Sequence, residues 1–280
     1  MNFRNACRPA RLRAHQFGFS LVELSVAMLV ALFLMAGAFS ILQSTHKASD
    51  AQTHLAQLQD DERVALTMMT GVIEAGGYYP NPYNNPINLQ LPASGPFQVG
   101  QIVYGIPNAT AGFGATSNLG DTLIVRYNAD ANEDVIDCTG TSNSTNGAPA
   151  FYTNEFIVRQ DSANTPPYLA CTVDGGTTFA KLVNNVAKME ISYGISSTAT
   201  AANSLGMPVD SYVPTAAMPA TNSVQWTNVY SVKVKLSFVN PLYYQPDGKT
   251  VTPGQKFQFL PVTKVIGIMS RMGSDIVSFQ

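Results

Sequence analysis

One stretch constrains this chain more than any other. Phe19–Leu42 (FSLVELSVAMLVALFLMAGAFSIL) is 24 residues long and carries a single charge, Glu23. A signal-peptide core runs to about 7–15 apolar residues, whereas a helix needs roughly 20 to cross a bilayer. The length therefore predicts a membrane span. Arg4, Arg8, Arg11 and Arg13 precede it, and the first basic residue beyond it is Lys47. The positive-inside rule leaves the first residues in the cytoplasm and exports the rest. No later stretch is apolar enough to return, so the expectation is one span with the remainder outside.

Charge supports the same division. Residues 1–18 hold four arginines and no acid, while the whole chain has a formal charge of -2. Without those residues, 12 Lys and Arg face 18 Asp and Glu, leaving -6. A basic head on an acidic body is the pattern of a targeting segment, and an acidic body does not suit a nucleic-acid partner. With 280 residues, 45% of them hydrophobic, the chain is able to build a core, which excludes wholesale disorder.

Glu23 is out of place in such a stretch. A carboxylate deep in hydrocarbon costs about 2.5–3.5 kcal/mol, so Glu23 is expected to pair with a positive charge, snorkelling to the headgroups being the alternative. The surrounding residues, Gly18-Phe19-Ser20-Leu21-Val22-Glu23-Leu24 after a short basic leader, resemble the type IV prepilin signature. That resemblance implies cleavage by a prepilin peptidase between Gly18 and Phe19, with methylation of the new Phe19 amine. It also implies that Glu23 meets the N-terminal amine of a neighbouring subunit during assembly. The physics agrees, because two opposite charges buried together offset each other's desolvation.

Helical patterning continues beyond the span. No proline occurs from Phe19 to Tyr79, and Gly37 is the sole glycine before Gly71. Ala48, Ala51, Leu55, Leu58, Ala65, Met69 and Val72 recur at three- and four-residue steps, with Glu62 interrupting. Gly76-Gly77 and Pro80 supply a C-cap and a stop. A helix over 19–75 is expected, its upper part packing on neighbouring subunits and its lower part on the head.

From residue 76 the period changes to two. Strands are expected at 121–128, 155–159, 168–173, 188–195 and 229–239, with a weaker region at 257–268. In 229–239 the apolar Val232, Val234, Leu236 and Phe238 alternate with Lys233, Lys235 and Ser237, the pattern of an antiparallel sheet with one solvated face. Residues 78–94, 139–149 and 196–223 read as long loops. The fold class is therefore α+β: leader 1–18, helix 19–75 with the membrane part at 19–42, and a β-rich periplasmic head over 76–280.

Cys7 lies in the leader, leaving Cys138 and Cys171 in an exported head. An intramolecular disulfide is the expected pairing; free thiols or an intersubunit bond are the alternatives. Catalysis finds little support. The three histidines are His15, His46 and His54, so the head has none for a Ser-His-Asp triad or a His-based zinc site. Asp130, Asn132 and Asp134 occupy the first three ligand positions of a calcium loop, but Val135 replaces the EF-hand glycine and Thr141 the closing glutamate. A solvated acidic turn is the preferred reading and a looser calcium site the alternative; no other cofactor is expected.

The head segments DTLIVRYN, Asp137-Cys138, LVNNVAKMEISYGI and VYSVKVKLSFV after Trp226 resemble the PilW group of minor pilins. That implies a non-catalytic subunit of a type IV pilus, with a role in assembly priming, twitching motility and adhesion. Its implied partners are the prepilin peptidase, other minor pilins, the major pilin and a large tip adhesin. Its implied location is the inner membrane and then the fibre or its tip. A type II secretion pseudopilin and a membrane-anchored periplasmic binding module are the alternatives.

Overall fold

In the computed structural model, the residues described are 18, 20–85, 87–108, 119–130, 133–142, 150–161, 165–173, 175, 178–197, 208–219, 224–241 and 259–272. The chain divides into two compact units, Met1–Gln52 and Thr53–Gln280. A single helix, α1 (Leu21–Glu74), contributes to both.

Within the first unit, α1 is exposed from Leu21 to Asp50. Leu21 is 84% and Phe33 85% accessible, and no residue of the apolar window is buried. In the second unit the helix turns amphipathic, burying Leu58, Ala65, Met69, Val72 and Ile73. These lie on one stripe, as the three- and four-residue steps predict. Glu62 falls on the same stripe between Leu58 and Ala65, and partial burial raises its pKa. Helix termination uses the two glycines. Gly77 has a φ of +73°, and its N–H donates to Arg126 O at 2.9 Å. Ser270 Oγ donates to Gly76 O at 2.8 Å, so side chain and strand backbone take over where the helical ladder ends.

The head holds two antiparallel sheets. The first is a meander of β1 (Val103–Ile106), β2 (Thr122–Ala129), β3 (Ala150–Arg159), β4 (Tyr168–Val173) and β5 (Ala180–Asn184), hydrogen-bonded in that order. The second contains β6 (Val186–Ile195), β7 (Ser211–Pro214), β8 (Val229–Val239) and β9 (Phe259–Gly267), in the order β7-β6-β8-β9. A short helix, α2 (Ile87–Gln90), lies inside the stretch read as loop over 78–94. One core joins helix and sheets, with Met69 and Ile73 beside Val125 and Phe156 of the first sheet and Ile191 and Leu236 of the second. The sheets are also stitched together. Asp121 N donates to Met189 O at 2.8 Å and Met189 N to Leu119 O at 3.1 Å, continuing the ladder of β6 past the end of β7.

The strands at 168–173 and 229–239 form as predicted. β3 begins five residues earlier than read, and β6 two earlier. The solvated outer face exists in the second sheet, where Lys235 is exposed between buried Val234 and Leu236. It fails for β2, which is buried at all eight positions. The cause is Arg126. Its guanidinium, buried on what the alternation marks as an outward face, donates to the carbonyls of Gln101, Pro92 and Gln98 at 2.6 Å and of Leu91 at 3.3 Å. It also stacks over Phe97, 4.7 Å from the ring centroid. Five donors in a planar fork match such a ring of carbonyls, so the chain around residues 91–101 is folded down as a lid on β2.

Cys138 and Cys171 are bonded, with their Cα atoms 6.2 Å apart. The bond ties the loop before β3 to the middle of β4, and Cys138 N donates to Asn154 Oδ1 at 2.8 Å on the intervening strand.

Candidate functional site

The N-terminal helix supplies the first candidate. Glu23 occupies its first turn, where the helix dipole favours an acid. Leu24 N donates to Ser20 O at 3.2 Å, so the helical ladder is already forming at that point. Three hydroxyls in and just beyond this apolar segment turn back on the helix backbone. Ser25 Oγ donates to Val22 O at 2.8 Å, and Ser44 Oγ and Thr45 Oγ1 both donate to Ile41 O, at 3.0 and 2.9 Å. Each donor is satisfied without water, as a hydrocarbon environment demands. Glu23 is left as the ionisable group of the segment, on a surface of exposed Leu, Val, Met and Phe. Gly18 lies in open space, with no atom within 4 Å of where a Cβ would stand. Residues 1–17 and Phe19 lie outside the described residues.

The acidic loop is the second candidate, and its carboxylates are engaged within the protein. Glu133 Oε1 accepts from Tyr78 OH at 2.5 Å, and Oε2 accepts from Asp130 N at 2.9 Å. That hydrogen bond to Glu133, with some burial, pushes the Tyr78 phenol up to about 12. Asp134 Oδ1 accepts from Ser142 Oγ at 2.7 Å. Asp137, outside the calcium-like triplet, uses Oδ1 to hold Thr139 N, Thr139 Oγ1 and Thr141 N in a tight turn. Asn132 lies outside the described residues. Among the described residues no group of three or more His, Cys, Asp or Glu is placed to hold a metal ion.

The clearest omission of the sequence reading is on the second sheet. Glu190 of β6 lies between Lys235 Nζ at 2.8 Å and Lys188 Nζ at 3.0 Å, and these two ammonium groups, Lys235 foremost, hold its carboxyl below the usual range. Alternation marks these side chains as solvated. Cross-strand register, which pairs Glu190 with Lys235, is what brings them together.

Two families match this chain. Residues 13–39 match the prokaryotic N-terminal methylation motif, a range that includes Gly18 and Glu23. Residues 155–264 match the family described as type IV pilus-assembly protein W, which runs from within β3 into β9 and so takes in strands of both sheets. No curated protein and no solved structure matches. An exposed apolar helix opens on a methylation motif and a two-sheet head carries the second match, so in both of its parts the chain is similar to proteins of type IV pilus assembly.

Proposed function

We propose that the chain is a minor pilin in the strict sense, a non-catalytic subunit that takes part in starting and building a type IV pilus. The observation that carries this reading is the uncovered apolar stretch of α1 with a lone acid at its start. Such a surface is stable in lipid or against other apolar helices and nowhere else. The prepilin peptidase cuts after Gly18 on the cytoplasmic side and methylates Phe19. The cleaved subunit waits in the inner membrane with its head in the periplasm. On assembly it exchanges lipid for the helices of the major pilin and other minor pilins, with a large tip adhesin as a further neighbour. Glu23 then meets the N-terminal amine of an adjoining subunit, which offsets the cost of carrying either charge into an apolar bundle. The match to a pilus-assembly family favours this over a type II secretion pseudopilin. Twitching motility and adhesion follow from membership of a working pilus.

Two variants test the reading. Glu23→Ala is expected to leave membrane insertion and cleavage intact while its recovery in sheared pili falls; unchanged incorporation overturns the pairing. Gly18 replaced by a bulky residue is expected to leave an uncleaved form roughly 2 kDa heavier, corresponding to 18 residues of a 280-residue, 30.0 kDa chain. Normal processing of that variant overturns the assigned junction.

A further inference from the structure

A groove of about 550 Å³ lies over the second sheet, remote in sequence from the assembly helix. Lys188, Glu190 and Ser192 of β6, Lys233 and Lys235 of β8 and Thr263 of β9 line it, and Pro214–Ala216 on one side and Asn108 with Asp121 on another form its margins. Its charge runs against the rest of the head. Over residues 76–280, ten Lys and Arg face twelve Asp and Glu, yet here three lysines face two acids. One of those acids is already engaged: Asp121 accepts from Asn108 N at 3.3 Å through Oδ1 and from Ile191 N at 2.8 Å through Oδ2. The other, Glu190, shows how a carboxylate sits in the groove, bridging two ammonium groups. Lys233 has no such partner among the described residues; its Nζ stands 4.7 Å from the centroid of the Tyr212 ring.

We propose that this groove binds an acidic saccharide, its carboxylate on Lys233 and its hydroxyls on Glu190, Ser192 and Thr263. Backbone pairing decides against a peptide added as a further strand. β6 is hydrogen-bonded to β8 on one side and to β7 and Leu119–Asp121 on the other, and β8 lies between β6 and β9. Among the described residues, β6 and β8, which carry Lys188, Glu190, Lys233 and Lys235, are paired on both sides and leave no edge for an incoming strand, so recognition over them falls to ammonium, hydroxyl and carboxylate side chains. Those groups suit a polyhydroxylated acid. The site goes beyond the assembly role and does not depend on it.

The test is equilibrium binding to the full chain in detergent micelles at low salt, with trigalacturonic acid as the probe and its methyl ester and triglutamate as comparisons. The acid is expected to bind saturably, more weakly as salt screens the lysines, and the ester to bind far less. Lys233→Gln is expected to weaken binding about tenfold, the loss of one charged contact, with an unchanged melting temperature. Lys235→Gln is expected to weaken it as well. Lys264→Gln, whose ammonium instead reaches Thr70 Oγ1 at 2.8 Å, is expected to leave it unchanged. Glu190→Gln is expected to tighten binding of the acid, because it removes the internal competitor for Lys188 and Lys235. No saturable binding at millimolar ligand, equal binding of acid and ester, or indifference to Lys233→Gln overturns the proposal. Tighter binding of triglutamate than of the saccharide assigns the groove to acidic peptides and overturns it equally.

Discussion

Among the described residues no carboxylate pairs with the buried Arg126, and its charge is dispersed over four backbone carbonyls and one aromatic face. Burial pulls its pKa down to about 10, which still leaves it protonated at neutral pH. Removing it strands carbonyls that its lid cannot turn toward water without opening. Arg126→Met is expected to cost about 3–5 kcal/mol in chemical denaturation of the head, with loss of protection in the amides of the 91–101 segment. Glu62 acts in the opposite direction. Its pKa is raised by burial, so the folded state binds its proton more tightly than the unfolded state does. Stability contributed by the protonated form is then lost as pH rises through the window above the ordinary value of 4.5. Glu62→Gln is accordingly expected to raise the melting temperature at pH 7 and to make no difference at pH 4, as read by thermal denaturation at both values.

Elements differed in how far they could be read from sequence, and the reason is physical. α1 and β8 carry their own period over enough residues to stand out from their surroundings, and β4 stands out as a nearly continuous buried run bounded by Pro166-Pro167. β1 and β7 are four residues each, too short for a period, and they are strands because β2 and β6 offer them an edge. The lid on β2 was hidden for another reason: its anchors are main-chain carbonyls, which leave no mark on residue type. Pairing of Cys138 with Cys171 was accessible because the head holds no third cysteine. The lysine groove depends on register across three strands, which alternation within one strand does not encode. Two expectations belong to this scale. Closing the 34-residue loop between the cysteines stabilises by about 3.8 kcal/mol in the chain-entropy account. Cys138→Ser with Cys171→Ser is thus expected to lower the denaturation midpoint by an amount of that order, and reductant to do the same to the parent chain. Gly77→Ala places a Cβ against Ile102 and Ser270 at a φ of +73°, and is expected to destabilise the head by about 1–2 kcal/mol in the same measurement.

For the whole molecule, the division between units follows the division of burial. Every buried residue of α1 lies at Leu58 or beyond, so the core of the head owes nothing to the segment before it. A chain starting at Thr53 is expected to stay soluble without detergent and to melt at the temperature of the head in the full-length protein, as followed by circular dichroism. A lower melting temperature in the truncated chain would show that the first unit supports the second.

The bonds between Leu119–Asp121 and Met189 bear on how the head carries tension. A pull arriving along the end of α1 passes through Gly77 into Arg126, in the interior of β2. β2 has β1 on one flank and β3 on the other, and the residues leading into it are tied to β6. Part of the load entering there is shared with both sheets through these pairings. In the proposed role, as a subunit anchored by one helix in a fibre, that sharing is what protects the fold.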